Sequence, residues 1–173
     1  MRKNRRLKRK LIRLEYERVV RDLISRPEVR AMQAIPAHGG VNCLNHSIFV
    51  SYLSYRWVRR FGGDAQAAAR GALLHDLFLY NWRDGNHEGH HGFTHPKIAL
   101  RNAERIARLS GTERDIILKH MWPLTPHKPA YHEAWVVSWM DKLCATCEAL
   151  HLYHGLRMER KLSWQLLYPW QLA

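Results

Sequence analysis

Apolar residues recur along this chain at steps of three and four, and no segment between turn signals alternates convincingly with period two. The first spacing puts side chains on one face of a helix, whereas the second would build strands. The sequence therefore predicts an all-α protein of helices joined by short connections and two longer loops. Leu7, Leu11, Leu14, Val19, Val20 and Leu23 mark one helix over residues 5–26, which Pro27 and Pro36 then interrupt. His38-Gly39-Gly40 reads as a loop. Asn42 can cap a helix reaching about Arg60, ended by Gly62-Gly63, and Asp64 can cap an alanine-rich helix through about Leu74. Residues 80–94 are rich in Asn, Asp and Gly and predict a long loop, after which Thr94 is placed to cap a helix to Leu109 with Pro96 early in it. A helix over residues 112–121, a loop marked by Pro123, Pro126 and Pro129, and a long helix over residues 131–156 complete the bundle. The aromatic, Pro-interrupted stretch 162–173 is expected to pack back on the domain.

The chain has 173 residues, 46% of them hydrophobic, enough for one domain with a substantial core and against general disorder. Residues 1–30 read as a basic helical extension and residues 31–173 as the domain proper. The net charge of +13 is concentrated at the start, where residues 1–30 hold 12 Lys and Arg against 4 Asp and Glu. Arg13 and Glu15 break the apolar run that a secretory leader would need, and no stretch approaches the ~18 apolar residues of a membrane span. Two readings of the basic segment stay open. It can be a solvated helix start, or it can attract an anionic partner such as a phosphorylated substrate, nucleic acid or a membrane surface. Three cysteines, an odd number, do not suggest a disulfide framework, and a reducing cytoplasmic location is expected.

Six residues stand out against this helical background: His46, His75, Asp76, His95, His120 and Asp141. His46 shares a stripe with Cys43, Val50, Leu53 and Trp57, and Asp141 sits among Ala134, Val137, Cys144 and Ala145. An unpaired imidazole or carboxylate on such a face costs several kcal/mol, on the order of 2–7 for a neutral polar group, so each needs a strong partner. A shared metal ion would satisfy all of them. His75 and Asp76 are adjacent, so both reach one centre only near a helix end, where Asp76 also has a second oxygen to offer. His95 and His120 are expected at helix ends facing a pocket, with His127 and His132 as rivals of His120. Around them, His87, His90 and His91 with Glu88 form a polar loop first, a mobile lid second or an accessory metal site third. Cys144, Cys147, His151 and His154 imitate a zinc set, but on one continuous helix they would span about 15 Å, too far for one ion.

The order His46…His75-Asp76…His95-Pro96…His120…Asp141, with the pair in the context Ala72-Leu73-Leu74-His75-Asp76, resembles the HD superfamily of metal-dependent phosphohydrolases over roughly residues 42–150. The resemblance implies a single helical HD domain in which His46, His75, Asp76 and Asp141 hold a first metal. It implies that His95 and His120 add a second, and that Asp76, His95 and His120 are the catalytic members of the set. One or two divalent transition metals are implied, with Fe, Mn, Co, Ni and Zn all compatible with mixed imidazole and carboxylate ligands. The implied reaction is cleavage of a phosphate ester of a nucleotide by metal-activated hydroxide. Arg83, Lys97, Lys128 and Lys142 are the candidate grips for phosphate. The chain departs from some relatives. Leu77-Phe78-Leu79 follows the His-Asp pair where many dinuclear members have a small residue and a lysine. His120 is followed by Met121 rather than a second histidine, and the Gly-Tyr-Pro motif of the cyclic-di-GMP branch is missing. The competing expectation is a nucleotide-binding or nucleic-acid-associated regulator that keeps the pocket without chemistry.

Overall fold

The computed structural model describes residues 2–85 and 89–152. Seven α-helices are present among them: α1 (Arg2–Ile24), α2 (Pro27–Ala31), α3 (Cys43–Phe61), α4 (Ala65–Leu74), α5 (His91–Ile106), α6 (Gly111–Lys119) and α7 (His132–Ala149). Short 3-10 turns cover Met32–Ala34 and Trp82–Asp84. No strand occurs among the described residues, and the all-α expectation holds.

Helix α3 is the axis of the bundle and packs most extensively on α4 and α7. Asn42 caps it as expected, its side chain accepting from the Asn45 amide at 2.8 Å. Leu44, Ile48, Phe49 and Val50 are buried on it, and the small Ser47, Ser51 and Ser54 let neighbours approach closely. Ser51 Oγ donates to the Ala69 carbonyl at 2.6 Å and accepts from the Tyr16 hydroxyl at 3.0 Å, which ties α1, α3 and α4 together. The predicted stripe of α3 ends before its last turns, because Leu53 is half-buried and Trp57 is exposed. Helix α4 is Ala67, Ala68, Ala69, Gly71 and Ala72 on its buried side. A methyl group at Gly71 would meet Ile116 of α6 at 2.9–3.0 Å, so this glycine sets the closeness of the two helices.

Arg70 joins three elements by donating to Asp22 of α1 (2.7 Å), the Val19 carbonyl (3.2 Å) and Glu113 of α6 (3.0 Å). Glu113 also completes a capping box with Ser110 at the start of α6. Helix α1 joins the core through Tyr16, Val20, Leu23 and Ile24, with Ile12 and Val19 packed against it.

Several boundaries differ from the sequence reading. Residues 27–31 form a helical turn, because Pro27 sits at its first position where a missing N–H does no harm. Helix α5 begins at His91 rather than after Thr94. Thr94 instead lies within the first turn, its hydroxyl donating to the His90 carbonyl. It ends at Ile106, where Ala107 turns extended. Helix α6 starts one residue earlier than expected, at Gly111, and ends at Lys119. Helix α7 ends at Ala149, short of the expected 156, and His151 takes a positive φ of 54° just beyond it. Cys144 and Cys147 lie on α7 and His151 in that turn, and none of the three belongs to a potential metal cluster among the described residues. His154, the end of the expected long helix, His87, Glu88 and the stretch 162–173 lie outside the described residues.

Candidate metal centre

The bundle delivers the six singled-out residues to one place from five helices. His46 is in the first turn of α3, His75 is the C-cap of α4 with Asp76 in the turn after it, and His95 is in the second turn of α5. His120 is the C-cap of α6, and Asp141 lies midway along α7. The adjacent pair thus sits where the helical constraint ends. All but Asp76 are buried, and the Asp76 side chain is 16% exposed. The alternatives His127 and His132 are exposed and take no part.

Hydrogen bonding fixes the proton on each imidazole. His75 Nδ1 donates to the Ala72 carbonyl (2.7 Å), His95 Nδ1 to the His91 carbonyl (2.9 Å) and His120 Nδ1 to the Ile117 carbonyl (2.9 Å). His46 Nδ1 donates to Glu148 Oε2 at 2.9 Å. In a neutral imidazole the other nitrogen is then a bare lone pair. Four such Nε2 atoms converge with the carboxylates of Asp76 and Asp141.

His46 Nε2 is 3.0 Å from Asp141 Oδ1, and His75 Nε2 is 3.6 Å from the same oxygen and 3.4 Å from Asp76 Oδ2. On the other side, Asp76 Oδ1 is 3.3 Å from His95 Nε2 and 3.6 Å from His120 Nε2. The last two nitrogens are only 2.8 Å apart. Lone pairs this close repel unless a proton or a cation lies among them. His75 Nε2 is moreover buried with no hydrogen-bond partner. Two donors each ~2.1 Å from one ion lie ~3.0 Å apart on an octahedral edge or ~3.4 Å on a tetrahedral one, so the spacings fit a coordination shell. Three overlapping groups, His46 with His75 and Asp76, His75 with His120 and Asp141, and Asp76 with His95 and His120, each bring ligand atoms close enough to share a divalent cation. Asp76 turns Oδ2 to His75 and Oδ1 to His95 and His120.

The electrostatics agree. Burial alone would raise the Asp76 pKa, but His75, His95 and His120 outweigh it and hold the carboxyl well below its ordinary range. Asp141 is depressed in the same way, burial being overcome by His46 and His75. Burial, reinforced by His75 and His95, pushes His120 down to about 3, so its Nε2 is an available lone pair at neutral pH. For His46 burial acts downward, but Asp141 and Glu148 raise it well above the usual imidazole value. In the absence of a cation, His46 keeps a proton in the place a metal would take.

Of the four expected phosphate grips, Lys142 alone lines the cavity of about 530 Å³ over Asp76, His95, His120 and Asp141. Its ammonium donates to the His120 carbonyl (2.9 Å), the Ser138 carbonyl (3.1 Å) and Ser138 Oγ (2.9 Å). Those are all of its three donors, and its pKa is lowered by burial against the opposing pull of Asp141. Lys142 therefore ties α7 to the end of α6. Arg83 donates to the Ala37 carbonyl (3.0 Å), and Lys97 and Lys128 are exposed away from both cavities that Asp76 lines.

Two neighbours of the centre escaped the sequence reading. Glu148, 1% exposed, orients His46, and its position two helical turns after Asp141 on the same face was the available clue. His91, expected in the polar loop, opens α5 and stacks on His95 with ring centroids 4.5 Å apart. His91 lines the 530 Å³ cavity and also a neighbouring one of about 480 Å³, whose wall includes Pro36, Phe78 and Trp82.

The HD domain description matches residues 43–146, more than half of the chain. No curated protein and no solved structure shows a significant match. Proteins with this domain are in general metal-dependent phosphohydrolases. No helix among the described residues is long and apolar enough to cross a membrane. With the matched segment running from the first residue of α3 almost to the end of α7, and so enclosing all six convergent His and Asp side chains, the chain belongs to the HD domain family.

Proposed function

We propose that this protein is a metal-dependent phosphohydrolase that cleaves a phosphate ester of a nucleotide. The observation that supports it best is the set of four imidazoles whose Nε2 atoms are turned by hydrogen bonds behind them toward the carboxylates of Asp76 and Asp141. Such an arrangement is costly to bury without a cation, and so is hard to explain as packing alone.

His46, His75, Asp76 and Asp141, joined by close donor spacings, would hold one divalent ion and Asp76, His95 and His120 another. Bound there, the metal supplies Lewis-acid polarisation of water and of phosphoryl oxygens. The chain does the rest. Carbonyls of Ala72, His91 and Ile117 keep three imidazoles in the Nδ1–H tautomer, and Glu148 does so for His46. Lys142 anchors the carbonyl end of α6 and so holds His120 in place. Asp76, the most exposed of the six, lines both cavities, so a cation held there would face the space open to substrate. The adjoining 480 Å³ cavity, walled by Phe78, Trp82 and His91, offers aromatic surface of the kind a nucleobase stacks on.

Metal content of the purified protein, followed by a screen of nucleotides and generic phosphoesters with added Mn²⁺, Fe²⁺, Co²⁺, Ni²⁺ or Zn²⁺, tests this reading. Asp76→Ala is expected to lower turnover by at least 100-fold while circular dichroism shows the helices intact. Normal turnover in that variant would remove Asp76 from the mechanism. Tight nucleotide binding by metal-loaded protein without hydrolysis would replace the enzyme by a regulator.

A further inference from the structure

The first half of α1 stands clear of the bundle. Residues 4–11 are exposed on every side and include Arg5, Arg6, Lys8, Arg9 and Lys10 with no acidic residue among them. Like charges one helical turn apart, Arg5 with Arg9 and Arg6 with Lys10, destabilise a helix by roughly 0.2–0.5 kcal/mol per pair. Cations near a helix start also oppose its dipole. A polyanion lying along this segment would reverse both effects.

Direction matters as much as charge. Tyr16, Val20 and Leu23 define the side of α1 that meets the body. At 100° per residue Arg5, Arg9 and Arg13 project to that same side, whereas Leu7 and Leu11 project to the opposite one. Beyond Tyr16 the arginine side therefore overhangs the outer surface of α3. Tyr16 packs on Tyr52 (5.1 Å between centroids) and Tyr55 (5.6 Å), and Glu15 pairs with Arg59 at 2.8 Å. Burial raises the Tyr52 hydroxyl, with Arg56, Arg13 and Arg9 acting to lower it and Glu17 to raise it.

Around the exposed end of α3, Arg56 and Arg60 project between the side toward α1 and the far side, which carries Trp57 and Phe61. Trp57 and Phe61, 45% and 59% exposed, stack on one another with centroids 4.6 Å apart. Arg60 lies over Phe61 at 5.4 Å and Arg56 over Tyr52 at 5.6 Å. The exposed end of α3 thus presents Arg56 and Arg60 nearer the side toward α1 and, next to them, the Trp57 and Phe61 rings.

We propose that the overhang of α1 and the end of α3, through Arg5, Arg9, Arg56, Trp57, Arg60 and Phe61, form a docking surface for single-stranded nucleic acid. Arginines track a phosphate backbone, and exposed rings stack on bases that a duplex would keep paired. A membrane surface fits less well. The leucines of α1 face away from the side that carries the arginines, so no single apolar plane includes them. The surface is also separate from the metal centre, since Trp57 is about 16 Å along α3 from His46. The proposal therefore stands whether or not the protein hydrolyses anything.

Fluorescence anisotropy with labelled 20-nucleotide oligouridylate and oligothymidylate tests it, with a matched duplex and phosphatidylserine-containing vesicles as the other arms. Binding of the single strands is expected to weaken with salt at a logarithmic slope of about −2.8, from about four phosphates neutralised by the four arginines. The double variant Arg5→Gln/Arg9→Gln should flatten that slope by about 1.4. Trp57→Ala/Phe61→Ala should weaken binding about tenfold or more at unchanged slope, with a melting curve confirming that each variant is folded. The duplex should bind at least about tenfold more weakly, consistent with the loss of base stacking. Metal removal should leave all of this unchanged. No binding at 50 mM salt, parental affinity in the Trp57→Ala/Phe61→Ala protein, or preference for vesicles over oligonucleotides would each overturn the proposal, the last in favour of a membrane partner.

Discussion

Glu148→Gln isolates the role of a residue that touches no cation itself. Glu148 Oε2 accepts the Nδ1 proton of His46 at 2.9 Å, and both side chains are about 1% exposed, so water screens little of the interaction. A hydrogen bond to a charged group is worth about 1.5–3 kcal/mol and a neutral one about 0.5–1.5. Glutamine keeps an acceptor for His46 but loses the charge, so about 1–1.5 kcal/mol of support for the imidazole disappears. The other oxygen, Oε1, is buried without a partner, and the amide nitrogen that replaces it would gain none. Loss of such an outer partner typically weakens metal affinity by about 10–100-fold. Titration calorimetry with Mn²⁺ or Zn²⁺, backed by chelator competition, reads this directly. Thr146→Ala, an exposed change on the same helix, serves as the control and should leave affinity unaltered. An affinity within about twofold of the parent for Glu148→Gln would refute the assignment of Glu148 as the group that sets His46.

Metal loading itself should stabilise the fold. At a free concentration ~100 times the dissociation constant the gain is about 2.7 kcal/mol, or about 5–10 °C in melting temperature for a chain of this size, checked by thermal denaturation with and without chelator. Gly71→Ala should destabilise by about 1 kcal/mol net, since overpacking against Ile116 costs ~1–3 kcal/mol and outweighs the helix-propensity gain. Urea unfolding measures that loss, and metal affinity should fall with it, because α4 carries His75-Asp76 and α6 carries His120. In metal-free protein the pH dependence follows from the shifted groups. The raised His46 contributes stability fully below about pH 6.5, lost as pH rises through its folded value. The depressed Asp76 and Asp141 contribute above about pH 4, lost as pH falls through their folded values. For His75 burial acts downward, but Asp76 and Asp141 raise it, so it acts like His46. His120, held down to about 3 by burial, costs stability as pH falls below about 6.5. Maximum stability of the metal-free protein is therefore expected at about pH 6.5. Metal binding, which must displace the His46 proton, should move that maximum upward. A denaturant midpoint that rises steadily from pH 5 to 9 without metal would contradict this.

How much of this was legible without coordinates varies by element. Asn42 and Asp64 announced the starts of α3 and α4, because an N-cap is a short-range device between a side chain and an amide three residues on. The periodicity of three and four gave the helical class. It also made His46 and Asp141 conspicuous, since polar groups on an apolar stripe demand partners. Thr94 misled in the same local terms, because His91 extends the helix backward to stack its ring on His95, a contact no cap preference reveals.

What the chain could not show by itself was mutual position. That four Nδ1 atoms are each held from behind, that Glu148 stands behind His46, and that Lys142 spends its charge on carbonyls of α6 and α7 depend on helix crossings. Those crossings are set by packing at contacts such as Gly71 against Ile116. Residue type and spacing fix what a helix can bury on each face. Only the docking of five helices, a sum of many weak and non-directional contacts, decides which buried groups meet.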